Sequence, residues 1–361
     1  MTSSSMLTEL DALRSSVRAA TADVGGHDLC RALDPSGPGW DARAWSVLAE
    51  QIGIGALGLP ERCGGLGALP ELTVVAEELG ATLMPVPFLS TVLAGQALLG
   101  AIDVDDVIAD IAGGVPAAFA GLDRKGWWSP DVALFTATET SSGWTLTGRA
   151  PTVLGAAGAR WLVVVADTAD GPDVFVVDAS ATGVEIAPLR TLDLSRAQSS
   201  VRLTHTPARR ATAGGSAGAA VFPALHTACI VLAAEQLGGA QASLDHTVSY
   251  TKERRQFGRA IGSFQSVKHT LADLLVLVES SRSAVTRAVR SIDAAEASAV
   301  AQAWCSDAYR TVSAEAVQLH GGIGFTWEHH CHLYFRRARA DAQLLGGAAF
   351  HRERLATALA W

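Results

Sequence analysis

The sequence predicts an α+β chain, mainly α, in three successive regions: an N-terminal helical domain over 1–115, a middle antiparallel β domain over 116–210 and a C-terminal bundle of long helices over 211–361. Three observations predict it. Apolar residues recur at helical spacing at both ends of the chain. Short runs rich in Val, Thr and aromatics crowd the middle with no helix between them. The stretches beyond the middle run two to three times the mean helix length of about 11–12 residues.

In the first region Leu7–Ala20 is amphipathic, and Trp40–Ile52 takes helical spacing after a Pro/Gly loop, Asp34–Gly39. Leu72–Leu83 and Val92–Leu99 continue the pattern, with breakers at Pro60–Gly67 and Pro85–Pro87. In the middle region Val132–Thr138, Trp144–Arg149, Arg160–Ala166, Val174–Asp178 and Gln198–Thr204 read as strands. Turns such as Ser141-Ser142-Gly143 and Asp170-Gly171-Pro172 divide them. Strands this close in sequence pair antiparallel, in a small sandwich or barrel. Residues 211–220 form a flexible Ala/Gly/Ser linker. The long helices follow: Val221–Arg254, Phe264–Ser291 and Glu296–Gln318. Ala-rich helices of that length need a partner surface, which predicts an oligomer.

Composition sets bounds on function. With 49% hydrophobic and 18% charged residues the chain folds, and its 361 residues suffice for two or three domains. The 28 basic and 36 acidic residues give a net charge of −8, which argues against nucleic acid or an anionic membrane as partner. Five scattered cysteines, Cys30, Cys63, Cys229, Cys305 and Cys331, form no CxxC pair and read as reduced, in a cytoplasmic protein. Met1–Ala20 lacks the apolar core of a secretory signal. The most apolar stretch, Val221–Ala234, has the length of a buried core helix.

Several patterns match a motif without its context. Gly53-Ile-Gly55-Ala-Leu-Gly58 fits GxGxxG, but a helix precedes it and Pro60 follows, so a glycine-capped helix end accounts for it better than a dinucleotide fingerprint. Gly214-Gly-Ser216-Ala-Gly218 fits GxSxG inside the linker, where no strand-to-helix elbow is expected. Glu328-His329-His330-Cys331-His332 looks metal-like. Neighbours on a helix point about 100° apart and no second ligand cluster stands nearby in sequence, so a polar helix start is the expectation and no metal is assigned. Trp127-Trp128 lines a pocket or packs in a core.

Two segments are more specific. In Tyr250–Gln265 a helix ends in a basic cluster, turns at Gly258 and restarts near Ser263. Arginines at such a turn can hold a pyrophosphate bidentately, or simply cap the helix dipole. In Val317-Gln318-Leu-His320-Gly321-Gly322-Ile323-Gly324-Phe325 a long helix ends in paired glycines. They let a backbone approach a ligand closely, or they form a C-cap.

Together these segments, R-x-Q-F-G and Q-x-x-G-G-x-G-F, resemble the acyl-CoA dehydrogenase family. The resemblance extends over essentially the whole chain, through Gly55–Gly67 and the helix–β–helix order, and is strongest over 221–345. It implies that the C-terminal region is a four-helix bundle. It also implies an FAD-dependent oxidation of the Cα–Cβ bond of an acyl-CoA thioester, in which a carboxylate takes the α-proton and an electron-transferring flavoprotein accepts the electrons. Residues of the two motifs contact a flavin seated mainly in a neighbouring subunit. Here those cofactor-binding roles fall on Arg254, Phe257, Gln265, Gln318, Gly321 and Gly322.

The sequence also departs from the family. The middle-domain segments that wrap the flavin are replaced by Phe119–Pro130 and by Thr147–Gly155, with Pro151 inside an expected strand. The usual catalytic carboxylate aligns with Leu345, and Asp341, a turn earlier, reads as a solvated charge. Some family members carry the base on the first long helix of the bundle, where this chain has Glu235. In its apolar run Glu235 is either the catalytic base or a buried residue paired across the bundle with an Arg. An intact half-site for a neighbour and an eroded one of its own resemble the shorter subunit of paired actinobacterial steroid-type acyl-CoA dehydrogenases. That resemblance implies a heteromeric, α2β2-like enzyme acting on a bulky acyl-CoA. A non-catalytic scaffold subunit and a homomeric enzyme are the alternatives.

Overall fold

A computed structural model describes residues 3–34 and 37–360. Met1, Thr2, Pro35, Ser36 and Trp361, and so part of the Asp34–Gly39 loop, lie outside the described residues. Helices α1 (Ser3–Val24), α2 (Gly26–Ala32), α3 (Ala42–Ile52), α4 (Leu69–Ala81), α5 (Phe88–Gln96) and α6 (Asp105–Ala112) come first. Strands β1 (Ala117–Ala120), β2 (Phe135–Thr140), β3 (Gly143–Leu154), β4 (Trp161–Thr168), β5 (Gly171–Asp178), β6 (Val184–Pro188) and β7 (Gln198–Arg210) follow. Helix α7 (Ala217–Glu253), the short hairpin strands β8 (Arg255–Gln256) and β9 (Arg259–Ala260), α8 (Gln265–Arg290), α9 (Ala294–His320), α10 (Cys331–Asp341) and α11 (Ala348–Ala358) complete the chain. The helix–β–helix order matches the expectation. The chain divides into two compact units: Met1–Leu13 with Leu33–Leu72 and Pro85–Ala228, and Arg14–Ala32 with Thr73–Met84 and Cys229–Trp361.

The first unit holds the sheet. Its strands run β1-β4-β2-β3-β7-β5, and β5 also pairs with β4, which closes the sheet on itself; β6 adds to β7. Most pairings are antiparallel, but β1 and β2 lie parallel to β4, an arrangement the spacing did not reveal. Alternation directs Phe135, Leu146, Leu162, Val164, Phe175, Val177, Val201 and Leu203 inward. Pro151 does not end β3. The register with β7 shifts between Ala150 and Val153, and a proline is tolerated at such a bulge. Trp127 and Trp128 are buried, with Trp128 edge-on to Phe222 at 5.1 Å, so the pair is packing. Gly53 ends α3 at φ 73°, its N–H bonded to the Ala49 carbonyl, as a helix cap should.

The linker is more tightly held than its composition suggests. Asp173 is fully buried and accepts from the Thr212 hydroxyl at 2.9 Å, the Ser216 backbone N–H at 3.1 Å and the Arg210 guanidinium. The segment before α7 is therefore pinned, not flexible.

The second unit is the helical bundle. Helices α8, α10 and α11 pack on α9, and α7 joins α9 through Gln236 to Ser306 at 3.0 Å. Helix α4 presses closely on α7. A Cβ on Gly80 would lie 2.0 Å from the Glu235 carbonyl oxygen, and one on Gly238 1.8 Å from that of Glu77, so no other residue fits either place. Arg14, Arg18 and Arg282 close around Glu77 and Glu78 at 2.8–2.9 Å. Helix α7 is long and apolar enough to cross a membrane, yet 61% of its most apolar window is buried, as for a core helix. All five cysteines are buried and none is in a disulfide.

Candidate active site

The first motif folds into a β-hairpin. Helix α7 stops after Glu253, β8 and β9 pair Arg255 with Ala260 and Gln256 with Arg259, and Phe257-Gly258 makes the turn. Both turn residues have positive φ, 51° at Phe257 and 80° at Gly258, as a type I′ turn requires. Asn-Gly suits that turn. A phenylalanine there is strained, by about 1–3 kcal/mol. Phe257 is nevertheless 89% exposed, its ring edge-on to Phe264 at 6.1 Å, so packing within the chain explains little of it. Arg254 and Gln265 are exposed beside it, and Gln265 meets His269 at 3.0 Å. Between α7 and α8 lies a groove of about 400 Å³ with Leu244, Val248 and Leu275 along it and Lys252 and Lys268 at its sides.

The second motif ends α9. Gly321 sits at φ 64°, ψ −143°, a region open only to glycine, and its N–H satisfies the last helical carbonyls. A Cβ on Gly321 or Gly322 would meet nothing within 4 Å. Internal packing therefore does not require Gly322, and Gln318, one turn back, is exposed. Tyr250 links the motifs: it stacks on His320 with centroids 4.3 Å apart, and its hydroxyl donates to the His320 carbonyl at 3.3 Å. Tyr250 lies one helical turn before Arg254, so the structure brings the two motifs to one end of the bundle.

The FAD implied by the resemblance fits these residues. The hairpin offers a flat ring and a guanidinium to solvent, and the glycine pair leaves its backbone open to a planar or anionic group.

Glu235 lies elsewhere. It is 5% exposed, and its carboxylate accepts from Arg337, itself 1% exposed, at 2.6 Å. This is the buried pairing across the bundle that the sequence left open beside the base. Asp341 is a correction. It is fully buried next to Tyr309 and not solvated. Burial drives the Tyr309 hydroxyl well above its ordinary pKa, Arg337 opposes the shift, and Asp341 and Glu235 add to it. The cluster is thus one buried network around Arg337. Its Asp was missed because Arg336–Asp341 reads as a charged surface.

Leu345, where the family's carboxylate aligns, is buried at φ 52°. Its carbonyl accepts from His351 Nε2 at 2.8 Å. The backbone turn is held while the side chain has no proton-accepting group. The left-handed conformations at Phe257 and Leu345 were not legible in the sequence, since neither residue type favours them.

The family model described as "Acyl-CoA dehydrogenase, C-terminal domain" matches residues 218–360. The chain is 36% identical over 342 residues to Acyl-CoA dehydrogenase IpdE2 of Mycolicibacterium smegmatis, covering 94% of this chain and 96% of that one. Among solved structures, a variant of the Tcur3481-Tcur3483 steroid ACAD superposes with a TM-score of 0.86 at 32% identity, over 98% of both chains. The ChsE4-ChsE5 complex from Mycobacterium tuberculosis gives 0.85 at 28% identity, over 97% of both. The chain belongs to the acyl-CoA dehydrogenase family and is an acyl-CoA dehydrogenase or a subunit of one.

Proposed function

We propose that this chain is one subunit of a heteromeric, α2β2-like acyl-CoA dehydrogenase that introduces the α,β double bond into a bulky, steroid-type acyl-CoA. It lends Arg254, Phe257, Gln265, Gln318, Gly321 and Gly322 to an FAD held mainly by an unlike subunit. The observation that carries this reading is Phe257, a large aromatic kept 89% exposed on a strained turn. The relatives named above as a steroid ACAD and as a two-component complex support the substrate class and the partner. Exposed Phe325, Trp327 and Ile323 beside the glycine turn, and Leu275 and Val276 on α8, provide apolar surface for a second subunit. Buried cysteines with no disulfide fit a cytoplasmic enzyme, whose electrons pass to an acceptor flavoprotein.

When bound, FAD supplies the acceptor for the β-hydrogen as hydride. This chain's part is positioning. Arg254 would hold a phosphate oxygen by charge-assisted bonds, Phe257 would pack on a flat ring, and Gln318 would hydrogen-bond a polar edge. Glu235 already holds Arg337, and Leu345 takes no proton. A carboxylate of the unlike subunit would then take the α-proton, and turnover of Glu235→Gln decides between it and Glu235.

Co-expression with the unlike subunit tests this. The complex should carry flavin, and Arg254→Ala should lose most of it on gel filtration while the complex stays assembled. Undiminished flavin in that variant would refute the shared site. Leu345 also suits a second reading, a scaffold without a role in the site; full flavin content and turnover in both Arg254→Ala and Phe257→Gly would favour it.

A further inference from the structure

A cluster of nitrogen and sulfur groups lies where α9 gives way to α10. His320 is the last residue of α9, Cys331 the first of α10, and His329 precedes it in the loop. One donor atom from each lies within 4.8 Å of the others. His320 is 4% exposed. Its Nδ1 is 2.7 Å from the Ala316 carbonyl oxygen. A carbonyl only accepts, so Nδ1 carries the proton and Nε2 presents its lone pair. That Nε2 is buried and has no hydrogen-bond partner. Tyr250 stacked on the ring keeps it in place. Cys331 Sγ is 3.7 Å from His320 Nδ1, the His329 ring is centred 4.6 Å from that of His320, and His329 Nδ1 accepts from the Cys331 backbone N–H at 3.1 Å.

We infer that His320, His329 and Cys331 form a binding site for a zinc-class transition-metal ion. A ring nitrogen fixed by a backbone carbonyl, with its other nitrogen left unpaired, is how a liganding histidine is held. Two imidazoles and a thiolate suit a borderline-soft divalent ion and leave the fourth tetrahedral place to water. To make bonds of about 2.0–2.3 Å the Cys331 thiol turns toward His320 Nε2 and the His329 ring releases the Cys331 backbone N–H. The Cys331 thiol gives up its proton to solvent as the sulfur–metal bond forms. His329 is half-buried, which leaves a way in. The ion would tie the two ends of the Gly321–Phe325 turn together. The sequence concealed the site because His320 belongs to a different segment from the His-His-Cys-His run.

Titration of the full chain, stripped with chelator, with Co2+ tests the inference without reference to flavin. One equivalent should bind, with d–d bands and a thiolate-to-cobalt charge-transfer band, and Zn2+ should displace it. Cys331→Ser should abolish the charge-transfer band and weaken binding by about tenfold or more. Cys305→Ser, about four helical turns before His320 on α9, should keep both. Should Cys331→Ser fail to fold, His329→Gln at its half-buried loop position decides the matter by the same loss of affinity. Absence of saturable binding, or a charge-transfer band that survives in Cys331→Ser or binding undiminished in His329→Gln, would overturn it.

Discussion

The hairpin at 254–258 and the ionic cluster around Arg337 belong to the same helical unit and use charge in opposite ways. In the cluster, Glu235, Arg337 and Asp341 are buried together, and the Glu235 carboxylate is joined to the Arg337 guanidinium at 2.6 Å. At the hairpin, Arg254 and Phe257 stand in solvent on a backbone that is strained at Phe257. A buried ion pair serves its own chain, because an uncompensated charge there costs far more than the pair gains. An exposed aromatic on a strained turn is kept for something outside the chain. The difference separates the residues that build the fold from those offered to a flavin and an unlike subunit.

The largest effect should come from breaking the cluster. Glu235→Ala leaves Arg337 buried without its partner and should cost about 3–5 kcal/mol in chemical denaturation. Glu235→Gln, which keeps a hydrogen-bond acceptor, should cost less and leave turnover per bound flavin in the heteromer unchanged. Turnover lost with stability and flavin intact would make Glu235 the base and dissolve the distinction.

Asp173 provides an acid-sensitive counterpart in the first unit. Burial alone would raise its pKa, but the bonds from Arg210, Thr212 and Ser216 outweigh it and hold the carboxyl below the ordinary 3.8. A carboxylate depressed in the folded state adds stability above its unfolded pKa and loses it as pH falls toward the folded value. Asp173→Asn should cost about 1–3 kcal/mol at neutral pH, and the gap from the wild type should narrow below pH 3.8. A gap that is constant with pH would mean that the carboxyl is not tuned by these bonds.

At the hairpin the signs should reverse. Arg254→Ala should leave stability within about 0.5 kcal/mol and weaken flavin retention by roughly tenfold, the worth of one charge-assisted bond. The sharpest contrast belongs to Phe257→Gly. Relief of the positive φ should raise stability by about 1 kcal/mol while flavin retention falls. A variant that loses stability would show that Phe257 packs for its own chain.

Legibility followed the range of the interactions. Helices α7, α8 and α9 were visible because each carries a long run of helix formers, and Pro223, in the second turn of α7, costs that helix one backbone bond near its start without ending it. Helices α2 and α6 and strands β1 and β6 were missed. Seven or eight residues give barely two helical turns, and Ala117–Ala120 has only one residue of strand preference. The two motifs could be named from sequence because their residues are contiguous. The Arg337 network and the histidine–cysteine cluster could not. Glu235 and Arg337 lie 102 positions apart, and only packing brings them together.

The account's central claim is that the flavin site is completed by an unlike subunit. Its most direct test is the visible absorption spectrum and solution mass of this chain, purified alone and with that subunit. The chain alone should be colourless, and the complex should be yellow with a mass that requires both chains. A yellow homomer with one flavin per chain would contradict it.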